Sequence, residues 1–446
     1  MKKIAFFCTG GNGPESSYTA EITYFPRRAQ DWDDCVTDDC SITFYVILPG
    51  THVVDAPGGT LTDTPEKVRY VELSLDSSAD EIADLIAADH PDVAVALSVP
   101  EVPFDWDQMR DAVIAKKLNA RGIKTIAHEP EAAKISFEKN AMSGVLAQNG
   151  FHIARHFLVS ASLLFAEQDP GILKNIYREY VEYILSVLRF PVVIKPDCCA
   201  GSVGLSVAKT PEEAMKVLLA GETHVDMLVE EWIRGENFGI EIYGVPGKYL
   251  VTPAIRFSAS DVGVTDPFAS VKFGPVLDET YEIATLDSEM RRLAELLQLK
   301  GAAEIDLVFS EGKWYIIEVN PRYSLLSLMP ASMSGKSVFF PYVETALGEV
   351  PKMDKENLKQ VVDFKAEMLS DERMGSLKEN YPFITYIMRF KLAVTKTEEV
   401  GYCEFVVTGD TKEELRKNID CLKEKEPDLI GDLTYRNIMS LSQMEA

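Results

Sequence analysis

The chain has 446 residues, 46% apolar and 26% charged, and a formal net charge of −25 from 45 Lys and Arg against 70 Asp and Glu. That length predicts about three or four folding units of roughly 100–200 residues each. So acidic a surface repels phosphodiester backbones and anionic lipid, which argues against a nucleic-acid or membrane-surface partner. Any site for a polyanion must therefore gather its lysines and arginines locally. Seven cysteines, an odd and scattered set, do not make a disulfide framework. Cys35 and Cys40 have no second Cys/His pair nearby and read as free thiols. The opening "MKKIAFFCTGGNG" has too short an apolar run for a signal peptide, whose core needs roughly 7–15 residues. No stretch approaches the roughly 20 apolar residues of a membrane span. A cytoplasmic protein is expected.

In chain order, "KIAFFC", "SITFYVILPG" and "DVAVALS" have the continuous apolar character of strands buried on both faces. "SADEIADLIAADH" and "WDQMRDAVIAKKLNARG" carry apolar residues at the three-to-four spacing of helices. "IKTIAHEP" follows as another strand, so a parallel α/β layer is predicted to about residue 130. "GGNG" after the first strand lacks the full spacing of a dinucleotide fingerprint and reads as a plain turn.

From Phe137 the pattern changes. "FEKNAMSGVLAQNG" reads as a helix ending at Gly150, "FHIARHFLVS" as a strand, and "ILKNIYREYVEYILSVL" as an amphipathic helix. "VVIKPDCCAGSVGLSVAK" is a β-branched run that closes on Lys195 and opens into a small-residue loop. Read alone, it suits a phosphate-holding loop and a hairpin with a snorkelling lysine equally well. The helix "TPEEAMKVLLA" and "DMLVEEWIRGENFGIEIYG" come next, then Lys272 in a long connection and a helix near 287–299. "GAAEIDLVFSEGKWYIIEVN" reads as a hairpin turning at Glu311-Gly312, and the remainder from about 351 as a small α+β tail.

The order of these motifs, more than any one of them, is informative. It resembles the ATP-grasp superfamily, and within it the D-alanine–D-alanine ligase and L-amino-acid ligase branches. "FEKNAMSGVLAQNG" looks like the family's Asp-Lys helix with Glu138 in place of Asp, "PVVIKPDCCAGSVGLS" like its strand and phosphate loop, and "EEWIRGENFGIEI" like its hinge. "EIDLVFSEGKWYIIEVNPR" resembles its metal-binding hairpin and is the most specific of the four.

The resemblance implies an α/β and α+β multidomain ATP-grasp fold. Its expected units are an N-terminal α/β domain (1–130), a central subdomain with the phosphate loop (131–228), a catalytic subdomain with the metal site (229–350) and a C-terminal α+β domain (351–446). It implies ATP and Mg²⁺ (or Mn²⁺) as cofactors. Lys139, Lys195 and the loop Gly201, Ser202, Val203 and Gly204 would hold phosphates, with Glu230, Glu231 and Ile233 at adenine. Ribose falls to Asn237, with Glu236 or Glu241 as substitutes. Asp306, Glu318 and Asn320 would bind the metal, an all-oxygen set that suits magnesium. Glu304 shares a strand face with Asp306 and is the alternative first ligand. Lys272, Arg322 and Ser202 would act in catalysis, and Arg256 and Arg322 on a substrate carboxylate.

The reaction implied is ligation of a carboxylic acid to an amine through an acyl phosphate, releasing ADP and phosphate. Small molecules, amino acids among them, are the expected partners, and a homodimer stays open. The alternatives are a nucleotide-binding regulatory protein without turnover and a carboxylating enzyme of the biotin carboxylase kind. "NPRYS" departs from D-alanine–D-alanine ligases, which carry the arginine at the Glu304 position instead.

Overall fold

The computed structural model describes residues 1–446 except 11–20, 49–51, 57–59, 98, 100–106, 167–175, 200–203, 221–224, 259–268, 396–397 and 445–446. Among the described residues of the first 130 there are six strands: β1 (Lys2–Cys8), β2 (Glu21–Phe25), β3 (Cys40–Ile47), β4 (Val68–Leu73), β5 (Val93–Ala96) and β6 (Lys124–Ile126). All but β2 form one parallel sheet of order β4-β3-β1-β5-β6. Helices Ala79–Ala88 and Asp107–Ala120 pack together on it, the first started by a capping box between Ser78 and Glu81. Burial of both sheet faces explains the unbroken apolar runs in β1 and β3.

The next four strands are β7 (His156–Val159), β8 (Val192–Pro196), β9 (Ser206–Ala208) and β10 (Met227–Glu231). They make an antiparallel sheet of order β7-β10-β8-β9, backed by helices Ile176–Val187 and Pro211–Ala220. This lobe has a core of its own, built on Val181, Leu185, Val192, Ile194, Leu218 and Val229.

The largest sheet has ten strands. β11 (Glu236–Val245), β12 (Lys248–Val251), β13 (Ala254–Phe257), β14 (Val271–Val276), β15 (Gly301–Ser310) and β16 (Lys313–Asn320) form one part. β17 (Gln360–Glu367), β18 (Ile384–Thr395) and β19 (Glu398–Gly409) continue it, in the order β16-β15-β11-β13-β14-β17-β19-β18-β2, with β12 paired to β11. The segment after residue 351, expected as a separate tail, thus extends the same sheet through the β14–β17 pairing, where Lys272 lies opposite Asp363. The N-terminal region contributes β2 to the far edge, with Thr23 opposite Arg389.

Local reasons for β2's placement are visible. The buried Asp55 carboxylate accepts from the backbone N–H of Tyr24 (3.0 Å) and of Arg28 (2.6 Å), and Trp32 stacks on Phe339 with centroids 4.0 Å apart. The parallel layer and the large sheet therefore share one core, in which Phe6, Trp32, Phe44, Tyr323, Phe339 and Met388 belong to a single cluster.

Candidate functional site

The Asp306–Glu318 hairpin carries the first part of the site. Its turn is Glu311-Gly312, both left-handed (φ 51° and 73°), as a two-residue hairpin turn requires. Asp306 pairs with Glu318 and Glu304 with Asn320, so all four side chains share one face. A register shift just past Asp306 leaves Ile317 as the extra residue of a bulge. On the neighbouring strand β11, Gly239 lies opposite Asp306. A Cβ there would meet the Phe257 ring at 2.4 Å, so the glycine lets that ring cover the site floor.

Above this face lies a cavity of about 340 Å³. Lys139, Lys195, Asn237, Phe257, Lys272, Asp306 and Glu318 contribute to its wall, together with Cys199, Ser258 and Ile317. Lys139 opens the helix Lys139–Gln148, whose start is tied to the segment after β8. Asn140 N–H donates to the Asp197 carboxylate (2.8 Å) and Lys139 N–H to the Asp197 carbonyl (3.1 Å). Glu138, although it occupies the cap position, makes no side-chain cap bond and instead takes Lys134 at 2.8 Å. The Lys139 ammonium lies 3.1 Å from Glu318 and donates to the Cys199 carbonyl.

Lys195 sits near the end of β8, buried, with its ammonium 2.6 Å from the Glu230 carboxylate on β10. Burial acts against its charge, but Glu230, Glu318 and Asp306 outweigh it and hold the lysine above its ordinary range. Lys272 was expected in a connection; it stands on β14, because Val271–Val276 pairs on both sides, with β13 and with β17.

The carboxylates are crowded. Burial, then the neighbouring charges of Glu304 and Glu318, push Asp306 well above the usual carboxylate range, and Glu304 is raised for similar reasons despite Arg322. Glu318 moves the other way: burial disfavours its charge, yet Lys139 and Lys195 keep it below its ordinary value. Among the described residues no three His, Cys, Asp or Glu side chains converge as a ready-made cation cage. Two facing carboxylates and an amide fit the way magnesium binds, through one or two carboxylates with the remaining positions left to phosphate and water. Their crowding also suits an added divalent charge.

Several expected residues are placed elsewhere. Arg256 is not brought to this cavity: the two-residue period of β13 turns Phe257 to the cavity and Arg256 to the opposite face. There its guanidinium is ion-paired with Glu236 and borders a separate depression with Lys412 and Tyr281. Of the three ribose alternatives, Asn237 is the one that lines the cavity. Glu236 is engaged with Arg256, and Glu241 is buried under hydroxyls of Ser327 (2.6 Å), Ser324 (3.0 Å) and Tyr243 (2.5 Å).

Glu230, Glu231 and Ile233 lie where β10 passes through a short link to β11. The Glu231 side chain takes the Arg189 guanidinium at 2.9 Å, and Glu231 N–H donates to the Arg155 carbonyl (2.9 Å). Arg322 follows Asn320 directly after Pro321; its guanidinium lies 3.7 Å from Glu304 and 3.4 Å from the Asn320 amide oxygen. Gly204 adopts φ 76°, where its bare Cα lies against Pro196. Gly201, Ser202 and Val203 lie outside the described residues. All seven cysteines are free thiols. Asp363 and Glu404, both reaching Lys272, were missed because nothing local in β17 or β19 marks them as part of a site.

A family model described as the D-ala D-ala ligase C-terminus matches residues 165–343. A D-alanine–D-alanine ligase of Desulfotalea psychrophila is 27% identical over 214 residues, covering 44% of this chain and 64% of that protein. The arginine-specific carbamoyl phosphate synthase large chain of Geobacillus stearothermophilus is 25% identical over 215 residues, 48% of this chain and 19% of its own. The chain thus spans less than two thirds of the length of these curated relatives.

Over the whole chain, the L-amino acid ligase structure from Bacillus licheniformis superposes with TM-score 0.59 at 15% identity, covering 94% of this chain and 97% of that one. The N5-carboxyaminoimidazole ribonucleotide synthetase of Thermus thermophilus does so with TM-score 0.62 at 14% identity, covering 94% and 98%. The chain has the ATP-grasp fold. Among the described residues no helix is long and apolar enough to cross a membrane.

Proposed function

We propose that the chain is an ATP-dependent carboxylate–amine ligase that joins an acid to an amine through an acyl phosphate. The observation that carries the reading is the convergence of Lys139, Lys195 and Lys272, from three separate elements, with Asp306 and Glu318 on one cavity. In a chain of net charge −25 such a gathering of ammonium groups is what a nucleoside triphosphate requires. The relatives described above, ligases and synthases among them, support the same reading.

In this proposal Lys139 and Lys195 hold the inner phosphates. Lys272 and Arg322 steady the charge that spreads over the terminal phosphoryl group during transfer. Asp306, Glu318 and Asn320 would hold a magnesium or manganese ion, whose chemistry is neutralisation of phosphate oxygens. Glu230, Glu231 and Ile233 would border the adenine and Asn237 the ribose.

A carboxylate oxygen of the first substrate attacks the γ-phosphorus, and the bond to the β,γ-bridging oxygen breaks, releasing ADP. The free amine of the second substrate then attacks the acyl carbon. Phosphate departs with the acyl oxygen, and the excess proton of the nitrogen passes to solvent. The proposed partners are small molecules, an amino acid as amine and an amino or simple carboxylic acid as acid.

The test is a matrix of paired amino acids and small acids, with phosphate release measured and products weighed by mass spectrometry. An amide formed in proportion to ADP supports the reading. Nucleotide binding without turnover on any pair would favour a regulatory protein, and turnover dependent on bicarbonate would favour a carboxylating enzyme.

A further inference from the structure

We propose that Asp363 and Glu404, from the segment after residue 351, are positioning residues that keep the Lys272 ammonium charged and aimed into the phosphate cavity. This rests on the ligase reading for what Lys272 touches.

Lys272 is the only one of the three cavity lysines on the large sheet, and its ammonium lies 2.6 Å from Glu404 and 3.3 Å from Asp363. Both acids are buried, with side chains 3% and 2% exposed, whereas the lysine side chain keeps 20% of its surface. They are absent from the cavity wall, to which Lys272 itself belongs. Strand parity explains the cluster. Lys272 faces Asp363 across β14 and β17, Lys365 faces Glu404 across β17 and β19, and period two puts all four on one face.

The two acids converge on the same ammonium and act on each other's charge. Burial and then the Glu404 charge raise Asp363 well above the ordinary carboxylate range, whereas Lys272 and Lys365 outweigh burial and hold Glu404 below it. A buried lysine without such a partner sheds its proton, because low dielectric disfavours the charged form. Here burial acts in that direction on Lys272 and is overcome by Asp363 and Glu404. Other groups facing the cluster are Lys365, stacked 4.5 Å above the Tyr402 ring, the Tyr402 hydroxyl, the buried His52 and the more distant Glu304.

The experiment measures affinity for a magnesium-bound, non-hydrolysable ATP analogue between about pH 7 and pH 10, below and through the lysine range. Wild type should be nearly flat. Asp363→Asn with Glu404→Gln should lose about tenfold in affinity across that window as Lys272 deprotonates. Adding Lys272→Arg should flatten the profile, since a guanidinium stays charged without a counterion. A flat profile in the double variant, or a slope that Lys272→Arg leaves unchanged, overturns the proposal.

If the double variant melts below the assay temperature, Glu404→Gln alone decides. Its loss of affinity should vanish in a Lys272→Met background. Equal losses in both backgrounds would show that Glu404 does not act through Lys272. An unmodified protein that binds no nucleotide would instead overturn the ligase reading, so the two failures are distinguishable.

Discussion

Lys139 and Glu318 are ion-paired at 3.1 Å, although one begins a helix whose start is tied to the segment after β8 and the other lies near the end of a hairpin of the ten-stranded sheet. The pair joins the proposed phosphate clamp to the proposed metal site. Glu318→Gln should therefore remove nearly all phosphate release, a loss of several kcal/mol in transition-state stabilisation. Glu318→Gln keeps the side chain's shape and relieves its charge repulsion with Asp306, so the fold should be retained. Activity assays beside thermal melting check both halves; normal turnover with a normal melt would contradict the metal assignment. Chelation of divalent ions should abolish the same activity, and magnesium or manganese should restore it.

Lys195 and Glu230 form a buried pair whose structural and functional roles can be separated. Lys195→Met strands the Glu230 carboxylate, and such broken buried pairs cost about 3–5 kcal/mol. Lys195→Met with Glu230→Gln should recover most of that loss in denaturant unfolding. It should not recover affinity for nucleotide, measured by calorimetry.

Which phosphate is attacked distinguishes the proposed chemistry from adenylate formation. With ¹⁸O in the acid substrate's carboxylate, one labelled oxygen should appear in the released phosphate, and the nucleotide product should be ADP. Arg322→Ala should lower kcat more than it weakens ATP binding, because charge on the terminal group grows during transfer. AMP with pyrophosphate would refute the mechanism.

Glu241 links stability to pH. Burial raises its pKa from 4.5 to about 7, against hydrogen bonds from Ser327, Tyr243 and Ser324 that lower it. Between those values the unfolded chain releases this proton while the folded chain keeps it, so stability falls as pH rises. The total is on the order of 3 kcal/mol, lost by about pH 7 and constant above it. Unfolding free energies at about pH 4.5 and 7.5 should show the fall in wild type and a smaller one in Glu241→Gln. An equal fall in both would exclude Glu241 as its source.

Local features of the chain were readable where chemistry and periodicity coincide within a few residues. The Asp306–Glu318 hairpin, its turn at Glu311-Gly312, the strand closing on Lys195 and the helix opening at Lys139 all carry signals of that kind. The alternation that separates Asn237 from Glu236, and Phe257 from Arg256, is also in the sequence. Which face becomes the site is not, because period two is symmetric until a partner strand covers one side; that is why Arg256 was expected at the cavity and stands opposite it. Lys272 was assigned to a connection because its strand is short and preceded by a polar stretch, and only pairing with β13 and β17 makes it a strand. The joining of β2 to β18, and of Asp363 and Glu404 to Lys272, depends on residues from about 90 to more than 360 positions apart. Sheet pairing at such separations is selected by burial and hydrogen bonding across the assembled core, interactions that no local pattern encodes.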